Sequence, residues 1–152
     1  VECAFAHRSS YPTKASEYGP TLRRLLEFGT AKATAVEYAS LERARERFRC
    51  ELDGVLGSVD VVISPCMPTS PPRVDSMAED ASDVGDAAPM LTFTAPFDYS
   101  GHPTLTLPLD LNASGLPRSF QFIGSRLGER RLIEIGLVIE AAIGFDQHPD
   151  LD

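Results

Sequence analysis

Apolar positions recur at helical spacing in several stretches of this chain and cluster in short β-branched runs in others. Residues 1–8 read as helical and are interrupted by Ser9-Ser10-Tyr11-Pro12. After the turn Tyr18-Gly19-Pro20, Thr21 is placed to cap a short helix over 22–28 whose apolar set is Leu22, Leu25, Leu26 and Phe28, with Gly29 as its stop. The strongest helical pattern covers residues 30–52: Tyr38, Leu41, Phe48 and Leu52 share a face, while the other face is charged and predicts Glu42–Arg45 and Glu46–Arg49 pairs. Gly54 to Gly57 closes it. Asp60-Val61-Val62-Ile63-Ser64 has the composition of a buried strand, which Pro65 and Pro68 should end because proline has no N–H for a ladder. Residues 91–98 predict a short helix and 104–107 a strand. The turn chemistry of Asn112-Ala113-Ser114-Gly115 then predicts an antiparallel return over 118–123. Residues 128–143 form a last helix with a stripe of Leu132, Ile135, Gly136, Ile139, Ala142 and Ile143. This order of elements argues a mixed α/β or α+β fold.

Between strand and short helix, residues 65–90 form a proline- and acid-rich stretch. It holds Asp75, Glu79, Asp80, Asp83 and Asp86 against Arg73 alone, and reads as a solvated loop. It contributes half of a net charge of −8, and so acidic a chain lacks the basic footprint of direct nucleic-acid binding. Hydrophobic residues make up 43% of the 152 positions, enough for a core, yet no apolar run approaches a membrane span. Three cysteines, Cys3, Cys50 and Cys66, have no framework spacing and point to a reducing, cytoplasmic setting. Val1 stands where a Met would start a gene product and no capping residue precedes the first helix, so the expectation is a piece of a longer chain.

Candidate chemistry is sparse. The Gly-x-Ser-x-Gly elbow, Gly-x-Gly-x-x-Gly and Walker loops are all missing. Asp98, Ser100 and His102 superficially resemble a triad, but one short segment cannot easily set the His between the other two. A turn with locally bonded Asp and Ser side chains is the expectation. Cys3 and His7 fit two ligands on a helix face, but two ligands do not make a zinc site, so no metal is expected. Glu79-Asp80 reads as solvated rather than catalytic, and His148 as an exposed tail residue.

Three blocks together carry a resemblance. Asp60-Val61-Val62-Ile63-Ser64-Pro65-Cys66-Met67-Pro68 resembles a D-x-h-h-x-P-x-x-P pattern, where h is apolar. Phe93-Thr94-Ala95-Pro96-Phe97-Asp98-Tyr99-Ser100-Gly101-His102-Pro103, followed by Thr104-Leu105-Thr106-Leu107-Pro108, resembles T-x-P-x-N-x-x-G-x-P and an apolar strand. Gly115-Leu116-Pro117-Arg118-Ser119-Phe120-Gln121-Phe122-Ile123-Gly124 resembles a G-L-P-x-x-x-Q-h-h-G hairpin. Glu129, Leu132 and Glu140 fall in place on the closing helix, and His7-Arg8 and Tyr18-Gly19-Pro20 fit upstream. In this order and spacing the blocks resemble amidase-signature enzymes. Asp98 stands where the pattern has Asn, which adds a charge and removes an amide donor.

The resemblance implies an α/β fold: the C-terminal part of the amidase-signature fold, a mixed β-sheet covered by helices, with residues 1–152 as part of one larger domain. It implies hydrolysis of carbon–nitrogen amide bonds by Ser–Ser–Lys acyl transfer, without a cofactor. The glycine/serine-rich signature that bears the triad has no counterpart here, and Lys14 and Lys32 lie outside any such context, so no catalytic residue is assigned. Family likeness places Leu91 and Ala95, i,i+4 on the short helix, on the acyl side of the substrate pocket, although both also fit an ordinary core. The chain is expected to be inactive alone. Its expected partners are a small-molecule amide bound by the full-length enzyme and the N-terminal remainder of the domain, without membrane or direct nucleic-acid contact. A homodimer is left open. The alternatives are a non-catalytic interaction module derived from this fold and the amidase subunit of a tRNA-dependent amidotransferase.

Overall fold

The computed structural model describes residues 1–31, 33–73 and 90–148. Its contacts divide them into two units, one holding Val1–Glu46 with Pro72 and Arg73, and the other Arg47–Pro71 with the described residues from Met90 onward.

The first unit is helical. α1 covers Glu2–Ala6, a 3₁₀ turn Ala15–Glu17, and α2 Pro20–Ala31; the long α3, Ala35–Leu56, begins here and continues into the second unit. Proline at the first position of α2 costs no hydrogen bond, because that N–H has no partner within a helix. Gly29 does not stop α2. It lies inside the helix, where a Cβ would stand 3.2 Å from the Cβ of Ala4, so its bare backbone lets α1 pack closely. The helix expected over 30–52 instead starts at Ala35 and runs on to Leu56. Its start is a capping box: the Glu37 N–H donates to Thr34 Oγ1 at 3.2 Å, and the Thr34 N–H donates back to Glu37 Oε2 at 2.9 Å. Those Thr34 bonds hold the Glu37 carboxyl below the usual glutamate range. Arg45 pairs with Glu42 at 3.0 Å, as the spacing predicts, and also with Glu2 at 2.9 Å, tying α3 to α1. Leu26 is the buried side chain of α2, whereas Leu41, expected in a core, is exposed.

The second unit is built on a three-stranded sheet of order β1-β3-β2, antiparallel throughout: β1 Val62–Pro65, β2 Thr104–Leu111 and β3 Pro117–Ile123. β1 begins two residues later than its composition suggests and includes Pro65. Proline is tolerated there because β1 lies at an edge. β2 likewise runs through Pro108, next to an irregularity in register between Pro108 and Asp110. The β2–β3 turn uses the expected chemistry: Asn112 Oδ1 accepts from the N–H groups of Ser114 and Leu116, and Gly115 takes φ 73°.

Side chains alternate across the sheet. On one face Val62 and Ile123 meet Phe48, Leu52 and Leu56 of α3 and Phe97 of α4 (Ala95–Ser100). On the other, Leu105, Leu107, Phe120 and Phe122 meet Leu132, Ile139 and Ile143 of α5 (Glu129–Ile143). Gly136 is the close-approach point of α5, since a Cβ there would fall 2.0 Å from Leu105 Cδ2. Ala142, expected in the buried stripe, is exposed. Apolar side chains also point outward, with Ile63 57% exposed and Leu137 61%.

Candidate functional site

Two polar constellations lie within the second unit. The first is a row across the sheet, Ser64–Gln121–Thr106, set by register on the face that bears Val62 and Ile123. Gln121, at its centre, is 1% exposed. Its amide nitrogen lies 3.0 Å from Ser64 Oγ, 3.2 Å from the Pro65 carbonyl and 2.5 Å from the Phe93 carbonyl. Ser64 Oγ donates its own proton to the Pro65 carbonyl, which leaves its lone pairs for the amide. Cys66, half-buried just beyond β1, reaches Thr106 Oγ1 at 3.5 Å.

The second constellation is a relay. His102 Nε2 is 3.1 Å from Asp53 Oδ1, and His102 Nδ1 is 2.9 Å from Ser100 Oγ. His102 thus bridges the Asp53 carboxylate and the Ser100 hydroxyl through its two ring nitrogens. Arg126 grips the same carboxylate with two bonds, Nη2 to Oδ2 at 2.7 Å and Nε to Oδ1 at 3.2 Å. Arg49 Nε donates to the Ser100 carbonyl at 3.0 Å. The Arg126 guanidinium first, and then His102, hold the Asp53 carboxyl below the usual aspartate range. Gly101, in the left-handed region at φ 74°, makes the bend that brings Ser100 and His102 together.

The order Ser–His–Asp invites a comparison with hydrolytic triads. Ser100, however, is 0% exposed, and its hydroxyl lies against His102 and the Phe97 carbonyl, so no substrate carbonyl can reach it. The relay is a structural lock between α3, the α4–β2 turn and the segment after β3. The acid that His102 finds is Asp53, while Asp98 is exposed. Ser100 bonds locally, as expected of a turn. Asp53 is invisible in the local pattern, being 49 residues away in sequence.

Leu91 and Ala95 do not share a helix. α4 starts at Ala95, and a turn over 92–94 separates it from Leu91, which is 47% exposed, while Ala95 is half-buried. The proline at the second position of α4 explains the late start: it has no N–H for the Thr92 carbonyl and its ring clashes with that carbonyl, so a helix from Leu91 cannot run through it, whereas the first turn of a new helix tolerates it. In the first unit His7 bonds Tyr18 Oη through Nδ1 at 3.0 Å, and Cys3 is exposed. Among the described residues no three His, Cys, Asp or Glu side chains gather as a metal site. Glu79 and Asp80 lie outside the described residues. His148 is exposed, as expected. No helix among the described residues is long and apolar enough to cross a membrane.

A helix-covered antiparallel sheet with these two constellations defines an α/β unit, and its likeness to solved structures narrows the class. The chain superposes on a crystal structure of an amidase with a TM-score of 0.76 at 27% identity, covering 91% of this chain and 32% of that one. A 6-aminohexanoate cyclic dimer hydrolase shares the fold, with a TM-score of 0.74 at 19% identity over 90% of this chain and 30% of its own. AmiD of Mycobacterium tuberculosis (strain H37Rv), named as an amidase, is 35% identical over 145 residues, which are 95% of this chain and 30% of AmiD. One subunit of the glutamyl-tRNA(Gln) amidotransferase of Zymomonas mobilis is 28% identical over 143 residues, 90% of this chain and 28% of its own length. The Amidase family model matches residues 7–133, and the chain belongs to that family. It spans about 30% of the length of the curated relatives it matches.

Proposed function

We propose that this chain is the C-terminal segment of an amidase that hydrolyses small-molecule amides by Ser–Ser–Lys acyl transfer. The nucleophile and its lysine relay belong to polypeptide outside these 152 residues. The observation that carries this reading is a family match across residues 7–133 in a chain about 30% as long as its relatives. The exposed apolar side chains Ile63 on β1 and Ile133, Leu137 and Val138 on α5 support it, because such surface is normally covered in a complete protein. The segment's work is to complete the sheet and to supply a wall of the substrate pocket, with Leu91 and Ala95 facing the acyl group. Three cysteines without the spacing of a disulfide framework support a cytoplasmic setting.

The test is turnover. Residues 1–152 alone, assayed against aryl and aliphatic amides, should release no ammonia above blank, and extension with the preceding residues of the reading frame should restore turnover. Hydrolysis by the isolated chain, or none by the extended one, overturns the reading. The likeness to the Zymomonas mobilis amidotransferase supports a second reading, in which the amide cleaved is that of glutamine and the acceptor is a charged tRNA. Ammonia release from glutamine that depends on glutamyl-tRNA, with no release from aryl amides, would favour it.

A further inference from the structure

We infer that Gln121 is the positioning residue for the segment Leu91–Ala95 and, through it, for the acyl side of the pocket; the pocket role rests on the function proposed above. A primary amide buried to 1% exposure must find partners for both N–H groups, or their desolvation is uncompensated. Gln121 finds them on two other segments. Its amide nitrogen reaches Ser64 Oγ and the Pro65 carbonyl at the end of β1, and the Phe93 carbonyl on the other segment.

The geometry is one-sided in a useful way. The β1 partners belong to a strand that the ladder with β3 already holds through four paired residues. Phe93 belongs to the turn over 92–94, outside any ladder, whose bond from the Thr94 N–H to the Leu91 carbonyl at 3.2 Å is local. The Gln121 amide therefore adds little to β1 but joins this turn to the centre of the sheet. The position of the Phe93 carbonyl sets where Leu91 leaves the turn and where Ala95 starts α4. No charged group substitutes for the amide: a carboxylate of the same shape has no proton to donate and would set negative charge against two carbonyl oxygens.

Amide hydrogen exchange on the full chain tests the anchoring. In Gln121→Leu, exchange over residues 91–98 should quicken at least about tenfold while the β2–β3 ladder keeps its protection. Gln121→Glu should do the same at about pH 7 and recover part of the protection at about pH 4, as the carboxyl protonates and regains one donor. Uniform quickening across sheet and turn in both variants would show a merely structural role, and unchanged exchange over 91–98 would show no role; either overturns the inference. In the extended, active protein, Gln121→Leu should change the kcat/KM ratio of hexanamide to acetamide by about fivefold, chiefly through KM, because an acyl pocket discriminates chain length by contact. An equal loss on both substrates counts against the pocket part. If the wild-type protein hydrolyses neither these nor aryl amides, the proposed function fails, and the exchange result alone decides whether Gln121 holds the segment.

Discussion

Phe122→Ala is expected to cost about 3–5 kcal/mol and to abolish cooperative unfolding of the second unit. Phe122 is 5% exposed at the centre of β3, between Ile63 of β1 and Leu105 of β2, and it packs with Leu107 and Leu132. Truncating it removes a side chain packed in the cluster that joins β2 and β3 to α5. Two terms add: the lost transfer of the ring out of water, and the cavity that a β-ladder backbone cannot close. Folded domains have only about 5–15 kcal/mol in hand, and one whose outer apolar faces are uncovered has less. Urea denaturation followed by circular dichroism checks this against Leu109→Ala, a change at an exposed position of β2 that should stay within about 0.5 kcal/mol of wild type. A shared midpoint for the two variants would mean that this face of the sheet is not the packed one.

The second large effect is expected at the relay. His102→Ala should destabilise the second unit by about 2–3 kcal/mol, because it opens a cavity and strips a partner from both Ser100 and Asp53. The same site predicts an acid dependence. Asp53 has its folded pKa depressed, by Arg126 first and His102 next. The unfolded chain therefore binds the proton more readily, and the stabilisation is fully present above the ordinary aspartate value of about 3.9. It is lost as pH falls through the lower, folded value. Urea midpoints measured from about pH 7 to pH 3 should decline at the acid end, and Asp53→Asn should be less stable near neutrality with a shallower acid decline. A variant whose acid decline matches wild type would remove Asp53 as its source. Asp110, paired with Arg118 across β2 and β3, has its carboxyl depressed in the same direction and accounts for decline that persists in Asp53→Asn.

Helix and strand existence was legible because it depends on residues a few positions apart. The stripe Leu132–Gly136–Ile139–Ile143 lies against the sheet where its 3.6-residue period sets it, and β3 pairs antiparallel with β2 because Asn112 and Gly115 can make the turn. Boundaries were less legible. Gly29 has the chemistry of a helix stop, yet it sits inside α2 because α1 needs its missing Cβ. Thr34 and Glu37 carry the capping box that marks the start of α3, a signal that lies inside the longer hydrophobic pattern. Pro65 and Pro108 remain in strands because each lies at an edge of the three-stranded sheet.

The order of three motif blocks is enough to place the family, and periodicity is enough to give the broad class of elements. The tertiary structure decided the partners. Asp53 meets His102 across 49 residues, and Gln121 reaches Ser64 and Phe93 across 57 and 28. Leu91 and Ala95 are separated by a turn rather than aligned on one helix. The physical reason is range. Backbone dihedrals and side-chain periodicity act over one or two helical turns, so a sequence displays them directly. A buried polar group must be satisfied by whichever segment the packing brings to it, and that choice exists only once the sheet and its covering helices have assembled.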